Sequence, residues 1–295
     1  MKDSVIVRVP ASTSNLGPGF DTLGIALRLY NHVRVTRVSG KGIDLVSEIS
    51  EGARGGALQM IREAARSFFR LTHRAEFAID VLMFGDVPVA RGLGSSVTVR
   101  LGVVAGLNAL TGKKLSRPQL LEIVAALEHH PDNAAPALFG GFCAAGMDAT
   151  SVRCLHFPVG KNVKFVALIP NFEISTEKAR QLVPQKFSKA DTIHNLNRAA
   201  LISAGFASGQ VEALRGLFED RVHQPYRQKL IPPLSRVIRA GVKAGAIGGW
   251  LSGSGSTIIC LTLKNAEAVG RAMRKQLRDS AIQILAADND GLVVR

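Results

Sequence analysis

This 295-residue chain is poor in aromatic residues: they make up 5% of it, and beside 13 Phe there are only two Tyr and one Trp. That excludes a nucleic-acid platform built on rows of stacked rings. Cysteine is scarce too. Cys143, Cys154 and Cys260 are odd in number and far apart, which leaves neither a disulfide framework nor a metal knuckle. No apolar run is long enough to span a bilayer; "LGVVAGLNAL" is typical of the longest. The opening "MKDSVIVRVP" is too charged and too short to read as a secretory signal, so the expectation is a soluble cytoplasmic protein. Acidic residues are outnumbered, 23 against 37 basic, for a net charge of +14. Such a balance attracts anions. The basic residues are scattered, however, with no run of five or six like charges, and tight nucleic-acid binding needs a patch. The expectation is no nucleic acid and no membrane.

What is present is an ordinary globular mixture, 46% hydrophobic and 20% charged, with length for two domains. "SVIVRVPAS" reads as a strand, and "GIALRLYNHVRVTRV" alternates as a strand or hairpin. "ALQMIREAARSFFRLT" places Leu58, Ile61, Ala65, Phe68 and Phe69 near one helical face. A helix is expected from about Ser95 to Leu110, and another at "SRPQLLEIVAALEHH", with Ser116 as N-cap. "GGFCAAG" and "SVRCLHFPV" read as strands closing this half. Beyond residue 155 the pattern restarts. Strand "VKFVALIPN" precedes helices at "STEKARQLV", "ADTIHNLNRAALISAGFAS" and "QVEALRGLFED". A helix, a glycine-rich loop, a strand, a helix and a last strand follow. Hairpins mixed with crossovers predict an α+β fold in two units, 1–155 and 156–295.

Four stretches carry candidate chemistry. "VPASTSNLGPGFDTLGIAL" sets Asn15 and Asp21 in a turn-rich loop. "RGLGSSVTVR" puts two glycines and two serines before a helix, where backbone N–H groups and the helix dipole favour an anion. Either serine hydroxyl could reach a magnesium ion that bridges phosphates. No Gly-Lys-Ser/Thr follows, so it is not a Walker loop, and the third glycine of a dinucleotide fingerprint is missing. "EHHPDNAAPALFGG" crowds Glu128, His130, Asp132 and Asn133 near a helix end, a place for Mg²⁺ or for proton transfer. Zinc is disfavoured there, because the adjacent His129 and His130 project differently and no HExxH or CxxC accompanies them. "GGWLSGSGSTIIC" is a glycine-rich turn before a buried strand.

In this order, "VRVPASTSNLGPGFDTLGIAL", "ARGLGSS", "HPDNAAPALFGG", "STEKAR", "DRVHQPYR" and "LSGSGST" resemble the GHMP small-molecule kinases. Within that superfamily the chain is most similar to members acting on L-homoserine. The resemblance spans residues 7 to 257. It implies transfer of the γ-phosphoryl of ATP to the side-chain hydroxyl of L-homoserine, a step of threonine biosynthesis. It also implies an N-terminal unit like a small-subunit ribosomal protein, a ferredoxin-like C-terminal unit, and the nucleotide between them. A homodimer is typical of such enzymes.

The implied roles follow residue by residue. Val89, Ala90, Arg91, Gly92, Leu93, Gly94, Ser95 and Ser96 match the phosphate loop, and Gln59 the position near the adenine. Ser96, or Ser95, and Glu128 match the Mg²⁺ site. Asp21, His130, Asn133, Arg180 and Arg227 match the amino-acid pocket. Asn15, Asp132, Thr176 and Arg180 match the catalytic set. Asp132 resembles the aspartate that takes the hydroxyl proton in mevalonate kinase-like relatives; direct passage of the proton to the phosphate is the alternative.

The chain departs from the family pattern at several points. "GLGSSVTVR" stands for the common "GLGSSAAA", so Val97 and Val99 either crowd a phosphate or pack inward, and Arg100 either faces solvent or adds charge behind the phosphates. His129 replaces the glycine of "EGHPDN", and Ser256 stands where proline is usual. Two rival readings are a GHMP kinase for a different small alcohol and a non-catalytic nucleotide or metabolite sensor on the same fold.

Overall fold

A computed structural model describes residues 3–47, 51–112, 115–149 and 151–295; the first two residues of "MKDSVIVRVP" lie outside them. Strands β1 (Ser4–Ser14) and β2 (Leu23–Arg37) are long and antiparallel, with an irregularity between Pro10 and Ala11 that divides β1 in two. Proline cannot donate to the ladder, which suits it to such a break. "GIALRLYNHVRVTRV" is therefore one strand and not a hairpin. Its far half pairs with β4 (Ile79–Gly85), and its near end pairs with β5 (Phe142–Met147). β3 (Ile43–Leu45) lies parallel to β4, and β6 (Val152–Phe157) extends from β5.

Helices α1 (Glu51–Thr72), α2 (Ser95–Leu110) and α3 (Arg117–Glu128) bury one face of this sheet. Alternation in β1 and β2 sends Val5, Val7, Val9, Val33 and Val35 into that core, where they join Ile61, Phe68 and Leu101. Ser116 N-caps α3 as expected, its N–H donating to Gln119 Oε1 at 2.9 Å. The short helix α4 (Ala134–Phe139) leads into β5.

The second sheet has the order β10-β7-β9-β8, all antiparallel: β7 (Lys164–Pro170), β8 (Gly248–Leu251), β9 (Ile258–Thr262) and β10 (Ser280–Ala286). With α8 (Leu234–Lys243) and α9 (Ala266–Arg274) on one face, this is the ferredoxin-like β-α-β-β-α-β order. Helices α5 (Thr176–Gln181), α6 (Lys189–Ala207) and α7 (Gln224–Arg227) lie between β7 and α8. "QVEALRGLFED" is not the expected helix. Only Val211–Leu214 forms a 3₁₀ turn, and Gly209 and Gly216, at φ 73° and 81°, break the chain on either side. After β10 the chain returns to the first sheet as β11 (Val293–Val294) beside β1. The expected α+β class is thus present, built on two sheets.

The sheets meet through a shared apolar layer. Leu23, Ile25, Leu27 and Phe142 from the first touch Phe165, Trp250, Ile259 and Leu261 from the second. Trp250 is fully buried, and its indole N–H donates to Thr13 Oγ1 at 2.9 Å. Truncating a side chain of this size in a core costs about 3–5 kcal/mol. This seam fixes the end of β1 against the glycine-rich turn between β8 and β9, and so fixes the cleft above it.

Candidate active site

The cleft lies where β1 ends, α2 and α4 begin and α5 and α7 approach from the other unit. It encloses about 250 Å³. At its floor, Asn15 has a left-handed backbone (φ 70°), which Asn tolerates better than most residues. Its Oδ1 accepts the Asp21 N–H at 3.0 Å, and its Nδ2 donates to the Gly253 carbonyl at 3.1 Å. One amide therefore joins the Asp21 loop to the glycine turn of the second sheet.

The loop from Gly92 to Ser96 is stitched from behind. Ser12 N–H donates to the Leu93 carbonyl, Thr257 N–H to the Arg91 carbonyl and Ser252 Oγ to the Gly92 carbonyl. Gly92 and Gly94 have φ of 74° and 73°, and an added Cβ would fall 2.1 Å from the Ser252 carbonyl oxygen and 2.4 Å from Ser12 Oγ, respectively. No L side chain fits there, which explains both glycines. Helix α2 then starts without a side-chain cap and without an acidic residue in its first turn. Its leading N–H groups face the cleft with the dipole's positive end, as an anion requires. Val97 and Val99 pack into the core, 1% and 5% exposed, so they do not crowd this end.

Ser96 Oγ donates to Glu128 Oε2 at 2.9 Å. Both are hard oxygen donors lining the cleft at the start of α2 and the end of α3, a set that suits Mg²⁺, which takes few protein ligands and keeps several waters. Arg100 does not face solvent. It donates through Nη1 to Glu128 Oε1 at 2.5 Å and through Nη2 to Glu63 Oε2 at 3.1 Å. His129, next in the chain, holds φ 65°, a left-handed conformation that accounts for glycine at this place in the family's "EGHPDN".

In the same cleft stand Asp21, Arg180 and Arg227. Arg180 forks onto both Asp21 oxygens, at 3.0 and 2.8 Å. Arg227 is 2% exposed. It donates to the Gly253 carbonyl at 3.0 Å and to His223 Nδ1 at 3.4 Å, and lies over the Phe20 ring at 5.0 Å. Burial first, and repulsion from Arg180 second, pull its pKa down to about 10, which still leaves it charged at neutral pH. His130 Nδ1 and Asp132 Oδ1 are 2.5 Å apart. Burial opposes charge on both, but their mutual attraction wins: the His130 pKa is raised and the Asp132 pKa lowered.

The structure brings most of the expected residues together. Asn15, Asp21, Val89, Ala90, Gly92, Gly94, Ser95, Ser96, Glu128, His130, Asp132, Asn133, Thr176, Arg180 and Arg227 all line the cleft. Three do not. Leu93 is fully buried in the shared apolar layer. The Arg91 side chain turns away to the Pro170 carbonyl and Glu173. Gln59 is exposed and donates to Glu63, one helical turn on, and its neighbour Met60 lines the cleft instead. Asn133 lines the cleft, yet its amide is engaged by β1: Ser12 Oγ donates to its Oδ1 and its Nδ2 donates to Ser14 Oγ, both at 2.9 Å. Sequence reasoning missed Ser12, Ser14, Phe20 and His223 as supports of the site. The polar run "STS" at a buried strand end was the available signal for the first two.

The GHMP kinase N-terminal domain matches residues 58–141, and the GHMP kinase C-terminal domain matches residues 201–279. The homoserine kinase of Microchaete diplosiphon is 39% identical, over 98% of this chain and 96% of that protein. That of Moorella thermoacetica is 37% identical, over 98% and 99%. A crystal structure of homoserine kinase from Cytophaga hutchinsonii superposes with a TM-score of 0.89 at 25% identity, covering 100% and 98% of the two chains. The mevalonate kinase of Methanococcus jannaschii shares the fold, with a TM-score of 0.67 at 14% identity. The chain belongs to the GHMP kinase family, among its homoserine kinases. It is an enzyme of the phosphotransferase class, and its family uses ATP with Mg²⁺. Among the described residues no helix is long and apolar enough to cross a membrane.

Proposed function

We propose that this protein transfers the γ-phosphoryl group of ATP to the side-chain hydroxyl of L-homoserine. One observation carries the reading: a single cleft is lined both by the start of helix α2 and by a wall of Asp21, Arg180 and Arg227. A zwitterionic acceptor fits that wall, its ammonium on Asp21 and its carboxylate on an arginine. Its side chain then points along the cleft toward the phosphate loop.

Phosphoryl transfer asks for positioning and charge neutralisation more than for covalent chemistry. The α2 amides and the loop from Gly92 to Ser96 hold the phosphates. Ser96 and Glu128 would hold Mg²⁺, which neutralises phosphate charge when bound. Thr176, at the start of α5, lines the cleft beside Arg180 and places the hydroxyl. Arg180 exchanges Asp21 for the acceptor carboxylate, and its charge and that of Arg227 fix the acceptor in the cleft. Asp132 has one oxygen engaged by His130. Against the effect of burial, the attraction of His130 also lowers the Asp132 pKa and makes it a weaker base, which favours loss of the hydroxyl proton to the transferring phosphoryl group over direct abstraction by Asp132.

Division into functional units near residues 155 and 156, a homodimer and a cytoplasmic location belong to the same reading. Light scattering of the purified protein tests the dimer. The activity is tested by ADP release with Mg²⁺ and ATP, with L-homoserine, L-serine, L-threonine and mevalonate as parallel acceptors. Turnover dependent on homoserine and abolished by Glu128→Ala is expected. Turnover only with another acceptor, or nucleotide binding without turnover, overturns the assignment.

A further inference from the structure

Arg100 lies in the second turn of α2, where the family pattern leads one to expect an apolar residue, and it reaches the carboxylate assigned to Mg²⁺. Its side chain is 13% exposed, and the guanidinium bridges Glu128, 8% exposed, to Glu63 on α1. Ser96 holds the other Glu128 oxygen. Both Glu128 oxygens are thus engaged by donors before any cation arrives, and one positive charge is built in beside the phosphate end of the cleft. Glu63, at 37% exposed, is the counterweight that draws the guanidinium toward α1. With Val97 and Val99 buried, Arg100 is the residue of this altered stretch that contacts a side chain of the cleft, Glu128.

We propose that Arg100 is a positioning residue that sets the balance between divalent cation and nucleotide at the phosphate end. The inference rests on the kinase reading for the placement of Mg²⁺ at Ser96 and Glu128. A cation at Glu128 must share the carboxylate with the guanidinium and sit near its charge, so Arg100 weakens binding of the free metal. The same charge favours the polyphosphate, so Arg100 strengthens binding of nucleotide without metal. Part of the charge neutralisation at this end is thus supplied by the protein itself.

The test uses Mn²⁺ alone, titrated into nucleotide-free full-length protein and read by electron paramagnetic resonance, and ADP in EDTA, read by calorimetry. Arg100→Met should tighten Mn²⁺ binding and weaken metal-free ADP binding, each by about tenfold for one unit of charge at this range. Arg100→Lys, which keeps the charge, should restore most of the ADP affinity. Glu63→Gln should move Mn²⁺ affinity the opposite way from Arg100→Met, because it removes the residue that competes for the guanidinium. Opposite signs in two variants that both break the same ion-pair cluster cannot come from a shared loss of folding. Unchanged Mn²⁺ and ADP affinities in Arg100→Met, or loss of both, overturn the inference. Those results leave the kinase reading standing if the wild type still phosphorylates homoserine and Glu128→Gln still abolishes Mn²⁺ binding. Mn²⁺ binding that survives Glu128→Gln overturns the metal placement itself, and the inference with it.

Discussion

Asp21→Asn isolates the feature that distinguishes an amino acid from other small alcohols. Asp21 and Arg180 satisfy each other in the cleft, each about a third exposed. An entering zwitterion exchanges that one pair for two: ammonium on Asp21 and carboxylate on Arg180. The substitution leaves the fold in place. Asn accepts the left-handed backbone that Asp21 holds at φ 54°, and the backbone N–H bonded to Asn15 is untouched. What goes is the charged half of one charge-assisted contact, worth about 1.5–3 kcal/mol when buried and about 1.5–2 at this exposure. KM for homoserine should therefore rise about 10- to 30-fold with kcat less affected, since the contact is made equally in the ground and transition states. The sharper measure is discrimination against 4-hydroxybutyrate, which has the carboxylate and the hydroxyl but no ammonium. The variant should use it as well as the wild type does or better, because Arg180 is no longer paired. The ratio of kcat/KM for homoserine over 4-hydroxybutyrate, followed by coupled ADP release, should fall by the same factor. An unchanged ratio would refute the placement of the ammonium on Asp21.

Two further outcomes are expected. Gly92→Ala forces a Cβ to within 2.1 Å of the Ser252 carbonyl at a positive φ. With about 1–2 kcal/mol for the backbone and at least as much for the displaced turn, Tm should drop by about 5–10 °C in a thermal melt, and MgADP binding should be lost. A melt and ADP affinity like the wild type's would contradict the stitched-loop geometry. His223 gives the pH prediction. It is fully buried; its Nε2 lies 2.9 Å from the Gly17 carbonyl, and its Nδ1 accepts from Arg227. Burial, with Arg227 adding to it against the pull of Asp220, lowers its pKa below the ordinary 6.5. The folded state thus resists a proton that the unfolded chain takes up. The contribution to stability is whole above pH 6.5 and is lost as pH falls below it. Denaturant melts from pH 7.5 to 5.5 should show that loss, and His223→Gln, which can donate and accept at similar places, should flatten the slope. An equal slope in the variant would assign the loss to other groups.

Much of this protein is legible in its sequence because the relevant physics is local. Alternation in β1 and β2, the helical face from Ile61 to Phe69 and the cap at Ser116 each depend on residues within a turn or two. The glycine spacing of "GLGSS" before an uncapped helix likewise announces an anion site, whatever surrounds it. "QVEALRGLFED" misleads for the same reason, since its apolar spacing suits a helix that the left-handed glycines on either side interrupt.

Tertiary structure decided the pairings. Asp21 and Arg180 are 159 residues apart, and Asn133 is 121 from Ser12 and 119 from Ser14; no periodicity links them. Whether Arg100 faces water or Glu128 depends on how α1 and α3 pack against α2, which no window of sequence contains. Local propensity and binary pattern act along the chain and are written in it. The direction of a long charged side chain is set by which opposite charge the packed elements bring within reach, and that is known only once they are packed.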